Sequence, residues 1–482
     1  MNFSRRSFLK NTTAATGGLL LPGLSGYASI EALDHAVKDA VKKSNDRKQL
    51  FNMCGYAAPK IPEVRIGYVG IGGRGSWAVT RMTNIKNVQI KALCDVREIA
   101  VKNNQQTLQK AGWPTAKEYY GDNYSWKKLC EQTDIDLVYI ATPWEWHVPI
   151  ALYAMEHGKH VAVEVPGARN LEDIWKLVET SERTKKHCMQ LENCCYDFFE
   201  TLTINMAQQG MFGELVHAEG AYLHPLLEMM FGPPPKNAND YAGEGAWRWK
   251  ENQKSGNLYP THGLGPVAQA MNINRGDRME YMTSMSSNDF MMEQLAEKLA
   301  AGDAFYKQYA GKHYRGNMNT SVIKTSKGKT IMVQHDVSSP RPYSRIHALS
   351  GTKGFAQKFP EPGRIALGHE PVDEQKMKQL EEQYTPELIR HVEQAAKKIG
   401  GHGGMDFIMD WRLIDCLRNG LPLDMDVYDL AAWCAVTPLS IWSVAHRSNS
   451  VDFPDFTGGS WKINKPINLT LRGGGNTEIV AQ

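Results

Sequence analysis

The chain has 482 residues, which is enough for two or three domains that each bury a core. Its 55 Lys and Arg residues nearly match its 52 Asp and Glu residues. Three of the basic residues lie in the first thirty positions, so the remainder is neutral. A neutral chain lacks the basic surface that nucleic-acid binding requires, and we expect no internal apolar run long enough to span a bilayer.

The N-terminus has the pattern of an export signal. Residues 4–10 read SRRSFLK and precede a weakly apolar region of Ala, Gly and Leu that ends near Ala28. Paired arginines ahead of an apolar stretch are typical of twin-arginine signals. We therefore expect a signal peptide over residues 1–30, recognition by the twin-arginine export machinery, and a mature protein in the periplasm or outside the cell. Residues 31–62 follow as a helical and irregular arm.

The stretch that begins at Val64 predicts a dinucleotide-binding unit. An apolar run over 65–69 is followed by a glycine-rich turn, a helical pattern, and a second apolar run over 88–93 that leads to Asp95. Glycines let the backbone approach a pyrophosphate, and the helix N-terminus supplies N–H groups. An acid at the tip of the second strand can accept hydrogen bonds from ribose hydroxyls. The predicted cofactor contacts are Gly70, Gly72, Gly73, Arg74, Gly75 and Asp95.

The turn departs from the usual G-x-G-x-x-G spacing. Its last glycine, Gly75, comes one residue early, and Ser76 stands at the usual position. An ordinary structural turn is the alternative, but the strand before it and the acid after the second strand favour a nucleotide site. Asp95 would repel a 2′-phosphate, which favours NAD, whereas Arg97 keeps NADP as an alternative.

Strands and helices continue to alternate up to about residue 200. Buried strands are predicted over 135–141, 160–165 and 189–192, with helices over 148–157 and 171–184 between them. This pattern predicts an α/β Rossmann domain over residues 63–200 with a parallel sheet. Ligands bind at the carboxyl ends of such strands, where the chain places Thr142, Glu164 and Asn193.

The pattern changes in the second half of the chain. Longer strands are predicted over 214–223, 321–325, 329–337 and 345–350, with a hairpin turn at 326–328. We expect residues 201–482 to form a second α/β domain with an open, largely antiparallel sheet, and the helical stretch 403–447 to pack back on the first domain. Residues 285–318 are polar and rich in Met, as in a surface excursion. The eight cysteines form no C-x-x-C pair, so we predict neither a metal site nor a disulfide framework.

Several motifs resemble a known superfamily. The glycine-rich turn, residues 142–147 (TPWEWH) and residues 164–166 (EVP) resemble the glucose-fructose oxidoreductase-like superfamily, which joins a Rossmann domain to an open α/β sheet domain. Common members carry Glu-Lys-Pro at the last motif, and that lysine is central to their dehydrogenase chemistry. This chain has Val165 instead, which argues against a simple sugar dehydrogenase.

One branch of the superfamily is more similar still. Residues 144–147 (WEWH), 191–193 (LEN) and 257–263 (NLYPTHG) resemble the NAD-dependent α-N-acetylgalactosaminidases of glycoside hydrolase family 109. The resemblance implies hydrolysis of terminal α-N-acetylgalactosaminides with retention, by transient C3 oxidation, C2 deprotonation, elimination and water addition. It implies further cofactor contacts from Trp144, Glu145, Trp146, His147, Glu164, Val165 and Asn193. It implies substrate contacts from Tyr222, Arg248, Tyr259, Pro260, Thr261, His262 and Tyr343.

Tyr259 and His262 are the predicted catalytic residues. If a helix begins at Thr261, their spacing can turn both side chains toward one cleft. Histidine moves protons near neutral pH, and tyrosine does so if its neighbours lower its pKa. A buried, hydrogen-bonded pair without a catalytic role is the alternative. Arg248 either binds sugar oxygens or stacks on its aromatic neighbours, and His402, in a glycine-rich loop, is left outside the predicted site.

Two other functions remain open from the sequence. An exported NAD(P)-dependent sugar or polyol oxidoreductase would produce NADH from its substrate. A sugar-binding protein that kept its nucleotide site would bind without turnover. We expect a glycan or small-molecule substrate in each case, and the oligomeric state is open, with a homo-oligomer as one alternative.

Overall fold

Two sheets carry the part of the chain that the structure describes. The structure is a computed structural model, and it describes residues 29–234, 236 and 245–480. The predicted leader therefore lies almost wholly outside the described residues. Residues 235 and 237–244, in a stretch rich in Pro, Gly and Trp, lie outside them as well.

The first sheet is parallel and has the strand order β3-β2-β1-β4-β5-β6. Its central strands are buried on both faces, which explains their uninterrupted apolar runs. The strands are β1 (Val64–Val69), β2 (Val88–Cys94), β3 (Lys117–Tyr119), β4 (Leu137–Ile140), β5 (His160–Val163) and β6 (Cys188–Gln190). The helices before and between them are α1 (Ile30–Asp46), α2 (Arg74–Met82), α3 (Glu98–Lys110), α4 (Trp126–Cys130), α5 (His147–Glu156) and α6 (Leu171–Thr184).

The second sheet has eight strands in the order β13-β12-β11-β7-β10-β9-β8-β14. Only β7 and β10 run parallel; the other neighbouring pairs are antiparallel. The strands are β7 (Leu215–Leu223), β8 (Met279–Ser286), β9 (Asn319–Thr325), β10 (Thr330–Asp336), β11 (Ala348–Gly351), β12 (Phe355–Gln357), β13 (Arg364–Ala366) and β14 (Val451–Asp452). The predicted fold class, a Rossmann domain joined to a largely antiparallel sheet domain, is confirmed.

The remaining helices surround this second sheet and reach the first. They are α7 (Phe198–Gln208), α8 (Gly245–Glu251), α9 (Thr261–Ala270), α10 (Met292–Gly302), α11 (Glu374–Tyr384), α12 (Glu387–Ile399), α13 (Met405–Asn419) and α14 (Val427–Ala445). Helix α13 contacts the first domain through a buried ion pair from Arg81 Nε to Asp410 Oδ2, at 2.8 Å. The hydroxyl of Tyr139, on β4, donates to the other oxygen of Asp410.

The structure corrects two expectations from the sequence: that no apolar run is long enough to span a bilayer, and that residues 285–318 form a surface excursion. Helix α14 is 19 residues long and apolar enough to cross a membrane by length and composition, but most of it is buried inside the fold. Residues 285–318 contain α10 and contribute to a small apolar core with Met230 and Phe231, rather than forming only a surface excursion. The sequence also gave no signal for β8, whose exposed face carries Tyr281 and Met285.

Candidate active site

The glycine-rich turn packs the start of α2 against the tip of β1. Gly70 has φ +82°, and a Cβ there would lie 2.7 Å from the carbonyl carbon of Ala141. A Cβ on Gly75 would collide with the carbonyl oxygen of Gly70. Gly75 therefore allows the close helix–strand packing that the last glycine of the usual motif provides, although it stands one residue early. A Cβ on Gly73 would meet nothing within 4 Å.

Asp95 lies at the tip of β2, beside this turn. Its Oδ2 accepts from the Ile71 N–H at 3.0 Å, and its Oδ1 accepts from the Arg97 N–H at 3.0 Å. The Arg97 guanidinium lies against Gly72, where a Cβ would collide with Nη2. Across the crevice, the hydroxyl of Thr142 is buried and has no hydrogen-bond partner among the described residues. The glycine-rich turn can hold a pyrophosphate, Asp95 can accept from ribose hydroxyls, and the buried Thr142 hydroxyl can bond to a ligand. These residues therefore fit a dinucleotide.

An ion-pair cluster closes one end of the crevice. Arg74, the first residue of α2, places Nη2 3.4 Å from Glu164 Oε1 and Nη1 3.1 Å from Asp406 Oδ2. Asp406 also accepts from Asn193 Nδ2 at 2.6 Å. Burial alone would raise the pKa of Asp406, but hydrogen bonding from His402 and the charges of Arg74 and Arg81 hold it well below its ordinary value. Glu164 and Asn193, predicted at two strand tips, are thus joined to the nucleotide turn.

The segment 142–147 lies between the two sheets. Trp144–Trp146 form a short 3-10 turn, and the Trp144 ring stacks on Tyr259 with centroids 5.8 Å apart. The Trp146 ring packs on Tyr124 instead. His147 is buried, with Nδ1 2.8 Å from the Pro166 carbonyl oxygen and Nε2 2.9 Å from that of Thr142. Burial lowers its pKa to about 4. A neutral imidazole has only one N–H, so His147 donates to one of these two carbonyl oxygens.

Tyr259 and His262 meet at the start of α9, which begins at Thr261 as predicted. Their rings are 4.9 Å apart in an edge-on arrangement, and the Tyr222 ring lies 4.9 Å from Tyr259 and 5.1 Å from His262. The Tyr222 hydroxyl lies 2.9 Å from His224 Nδ1. Three of the predicted substrate residues therefore form one aromatic cluster. Pro260 precedes the helix and Thr261 is buried at its first position.

The proton chemistry of the two predicted catalytic residues differs. Burial raises the pKa of Tyr259 well above its ordinary value, and the charges of Tyr222, Glu164 and Glu192 act in the same direction. Tyr259 would act as a base only if its pKa were lowered, and the structure raises that pKa instead. Tyr259 therefore stays a phenol that can donate a hydrogen bond.

The other predicted substrate residues surround this cluster. The Arg248 guanidinium lies 4.8 Å from the Trp247 ring and 5.8 Å from the Trp144 ring. Tyr343 lies beside His224, with ring centroids 4.9 Å apart, and its hydroxyl accepts from Arg345 Nη1 at 3.0 Å. The structure thus brings Arg248 and Tyr343 to the same cleft as Tyr259. Val165, which stands where dehydrogenases carry lysine, is buried beside Glu164.

Two residues near the cleft were missed by sequence reasoning. Glu192 is fully buried and lies 2.7 Å from His262 Nδ1; its position next to Asn193 after a strand was the available signal. His402 places Nδ1 3.0 Å from Asp406 Oδ2 and 3.1 Å from Arg74 Nη1, and its side chain is 49% exposed. Its four neighbouring glycines gave no indication of a contact with a residue 328 positions away.

Comparison with known proteins assigns this architecture to a family. Residues 64–191 match the family described as "Oxidoreductase family, NAD-binding Rossmann fold", and residues 196–463 match "Glycosyl hydrolase 109, C-terminal domain". The chain belongs to glycosyl hydrolase family 109. This confirms the resemblance seen in the sequence and makes the protein a glycoside hydrolase.

Relatives within family 109 are similar over most of their length. A glycosyl hydrolase family 109 protein of Porphyromonas gingivalis is 48% identical over 459 residues, covering 91% of this chain and 92% of the relative. A Bacteroides fragilis protein named α-N-acetylgalactosaminidase is 47% identical over 415 residues, covering 85% of this chain and 96% of the relative.

Solved structures share the fold at much lower identity. A levoglucosan dehydrogenase in complex with NADH and levoglucosan has a TM-score of 0.59 at 18% identity, covering 82% of this chain and 100% of that one. An aldose-aldose oxidoreductase from Caulobacter crescentus has a TM-score of 0.57 at 16% identity, covering 81% and 100%. At such identities, these likenesses support the fold alone.

Proposed function

We propose that this family 109 enzyme hydrolyses terminal α-N-acetylgalactosaminides with retention at C1 and with NAD as a retained cofactor. The proposal rests mainly on one juxtaposition. Tyr259 and His262 stand on the second domain, and the Tyr259 ring stacks on Trp144, which follows a strand tip of the nucleotide-binding sheet. A proton-transfer pair thus faces the crevice where a dinucleotide would lie. The relative named α-N-acetylgalactosaminidase supports the choice of sugar.

The carboxylates near the cleft support a mechanism without a carboxylate pair. Ordinary glycosidases place two free carboxyl groups on either side of the scissile bond. Here Glu164 pairs with Arg74, and Glu192 is bound to His262 and fully buried. Neither side chain is placed to act as acid or nucleophile at a glycosidic bond. NAD-dependent glycosidases form a known exception to the two-carboxylate rule.

The chain offers a consistent set of contacts for the cofactor. The glycine-rich turn from Gly70 to Gly75 would hold the pyrophosphate, Asp95 the ribose, and Thr142 and Glu164 would line the remainder of the crevice. NAD⁺, when bound, would supply reversible oxidation at C3 of the sugar, which acidifies the proton at C2.

The side chains then carry the proton transfers. His262 Nε2 removes the C2 proton, and the bond from C1 to the leaving oxygen breaks as that oxygen takes a proton from solvent. Water then adds its oxygen at C1 and releases one proton to solvent, so the net reaction is hydrolysis. The Nε2 proton exchanges with solvent while the intermediate is bound, and His262 then protonates C2. Tyr259, held as a phenol, donates a hydrogen bond to a sugar oxygen on which negative charge develops. Tyr222, Arg248 and Tyr343 would bind the hydroxyl and acetamide groups.

One assay tests the proposal directly. Purified protein with an aryl N-acetyl-α-galactosaminide should release the phenol without added cofactor. Net formation of NADH from free sugars, with no phenol released, would instead favour the sugar or polyol oxidoreductase. Binding of the sugar with neither reaction would favour a sugar-binding protein.

Isotope labelling tests the elimination step. Turnover in D₂O should place deuterium at C2 of the released N-acetylgalactosamine, because direct displacement at C1 never breaks the C2–H bond. Proton NMR or mass spectrometry of the product detects the label. A product without deuterium, together with no rate effect from a C2-deuterated substrate, would contradict the mechanism.

We also propose that the enzyme is exported with its nucleotide in place. The twin-arginine pattern at residues 4–10 supports this, since that route carries folded proteins. Nucleotide should therefore copurify and appear in the supernatant of the denatured protein. Activity that depends wholly on added NAD would argue against retention.

A further inference from the structure

The imidazole of His262 is held by a single buried carboxylate. Glu192 Oε1 lies 2.7 Å and Oε2 3.0 Å from His262 Nδ1. The Glu192 side chain is fully buried, and that of His262 is 13% exposed. The Nε2 atom of His262 has no hydrogen-bond partner among the residues that the structure describes.

The backbone fixes both partners in place. Glu192 lies two residues after the end of β6 and also accepts from the Cys194 N–H at 3.1 Å, which caps the start of the 3-10 turn Asn193–Tyr196. On α9, a Cβ at Gly265 would lie 3.1 Å from Glu192 Cγ, and a Cβ at Gly263 would collide with the backbone of β7. The two glycines after His262 therefore let α9 lie close enough for the imidazole to reach the carboxylate.

Other groups around His262 cannot replace this contact. Tyr222 and His224 face it from β7, Tyr259 from the segment before α9, and Cys194 from the turn after β6. Burial raises the pKa of the Cys194 thiol well above its ordinary value. Glu192 is thus the nearest anion. Burial would raise its pKa, but His262, followed by the Thr261 side chain and the Cys194 N–H, holds that pKa below its ordinary value.

A metal ion is the alternative use of these atoms. Glu192, Cys194 and His262 offer ligand atoms within 4.8 Å of one another. Two ligands on a tetrahedral zinc ion lie about 3.3 Å apart, given bond lengths of about 2.0 Å. The 2.7 Å separation of Glu192 Oε1 from His262 Nδ1 is that of a hydrogen bond. The protonated thiol is also a poor ligand.

We propose that Glu192 is a positioning residue that fixes His262 as the Nδ1–H tautomer and presents Nε2 to the C2 proton of the substrate. The carboxylate accepts the Nδ1 proton throughout, so Nε2 alone receives the proton from carbon and later protonates C2. The negative charge of Glu192 stabilises the imidazolium formed between these two events. This role rests on the proposed function of His262 as the base.

The tautomer can be measured without any turnover. Long-range ¹H–¹⁵N spectra of the holoenzyme labelled at histidine should show an Nδ1–H imidazole that is missing from His262→Gln. In Glu192→Gln, the amide can donate to Nδ1 or accept from it, so a second population with Nε2–H should appear. An unchanged Nδ1–H imidazole in Glu192→Gln would overturn the proposal. Absence of phenol release by the wild type would contradict the proposed function. The spectra would still show whether Glu192 sets the tautomer of His262, because they require no turnover.

Kinetics give a second, independent measurement. Glu192→Gln should lower kcat on the order of a hundredfold with little change in KM, and Glu192→Asp should recover part of the loss. The double variant Glu192→Gln/His262→Ala should be no slower than His262→Ala alone, since Glu192 acts through His262. Additive losses would show a general structural role and overturn the proposal.

A matched control separates this role from the loss of a buried charge. Glu182, on α6, is a fully buried carboxylate that pairs with Arg47 and accepts from the Tyr428 hydroxyl, residues that lie outside both α9 and the turn after β6. Glu182→Gln should leave the His262 tautomer unchanged, whatever its effect on stability. If Glu192→Gln fails to fold, Glu192→Asp tests the proposal with the same spectra and kinetics. A folded Glu192→Asp with a changed His262 tautomer but a wild-type rate would contradict the proposal.

Discussion

The two walls of the cleft differ in whether the main chain or the side chains form them. The nucleotide wall, residues 70–75 with Asp95, works through the main chain: its glycines have no side chain, and their absence of Cβ atoms lets the helix approach the strand. The aromatic wall, formed by Tyr222, Tyr259, His262 and Tyr343, works through side chains that contact one another. A substitution in the nucleotide wall should therefore weaken cofactor binding. A substitution in the aromatic wall should lower turnover while the cofactor stays bound.

The effect on the greatest number of properties is expected at Gly75, where both cofactor content and turnover should fall. In Gly75→Ala the new Cβ collides with the Gly70 carbonyl oxygen, so the turn must shift. We expect copurified nucleotide and phenol release both to fall at least tenfold, since pyrophosphate contacts depend on that turn. Nucleotide in the denatured supernatant and the aryl glycoside assay measure the two quantities. Gly302→Ala, at the end of α10, is the matched control, because its Cβ also meets nothing within 4 Å; equal losses in both variants would contradict the role of Gly75.

His262→Ala should stop turnover and leave the nucleotide wall intact. Loss of a proton-transfer group typically costs on the order of a hundredfold or more in kcat. Nucleotide content should stay at the wild-type level, because His262 lies on α9 and the glycine turn precedes α2. His157→Ala, on an exposed histidine after α5, is the control. A near-normal rate in His262→Ala would restore the interpretation of a packed pair without a catalytic role.

Tyr259→Phe should have a smaller effect than His262→Ala. The ring remains, so its stacking on Trp144 and its contact with Tyr222 are kept, and only the hydroxyl is lost. We expect kcat to fall about tenfold to a hundredfold with KM little changed, as for the loss of one donor to a developing charge. If KM rises while kcat stays constant, Tyr259 binds the substrate equally in the ground and transition states, and its proposed role is wrong.

An ion-pair group of Arg345, Glu200 and Lys358 lies behind the aromatic wall, and we call it the supporting layer. Substitutions in it should lower the free energy of unfolding more than they lower the catalytic rate. Arg345, which donates to Tyr343, pairs with the fully buried Glu200 at 2.6 Å. Burial alone would raise the pKa of Glu200, but Arg345 and Lys358 lower it to about 2 from an ordinary 4.5. A depressed folded pKa gives stability that is present above 4.5 and lost as the pH falls toward 2, about 3 kcal/mol at most.

Glu200→Gln tests this layer. The unfolding free energy at neutral pH should fall by about 3–5 kcal/mol, as expected for breaking a buried ion pair. Its decline between pH 4.5 and 2 should also become shallower than in the wild type. Urea unfolding at several pH values measures both. An unchanged acid slope would show that Glu200 does not titrate as proposed.

The sequence predicted the nucleotide wall better than the aromatic wall, for a physical reason. The strand before Gly70, the glycines and the acid at Asp95 lie within about thirty residues, and each is a local requirement of one supersecondary unit. Tyr259 and His262 could be paired because they lie three residues apart at a helix start. Glu192 meets His262 across 70 positions, and Arg345 meets Glu200 across 145. Such contacts depend on how α7, α9 and the sheets pack together, and no local pattern encodes them.

The C-terminal segment adds a condition on the order of folding. The Lys86 N–H donates to the Glu478 carbonyl and the Val480 N–H to the Asn84 carbonyl, both at 2.9 Å, which attaches this segment to the loop between α2 and β2. Helix α13 covers the same domain through Asp410. Domains made early in synthesis usually fold while the remainder of the chain is still on the ribosome. The nucleotide-binding domain therefore gains its full set of native contacts only after residues 405–480 have been synthesised.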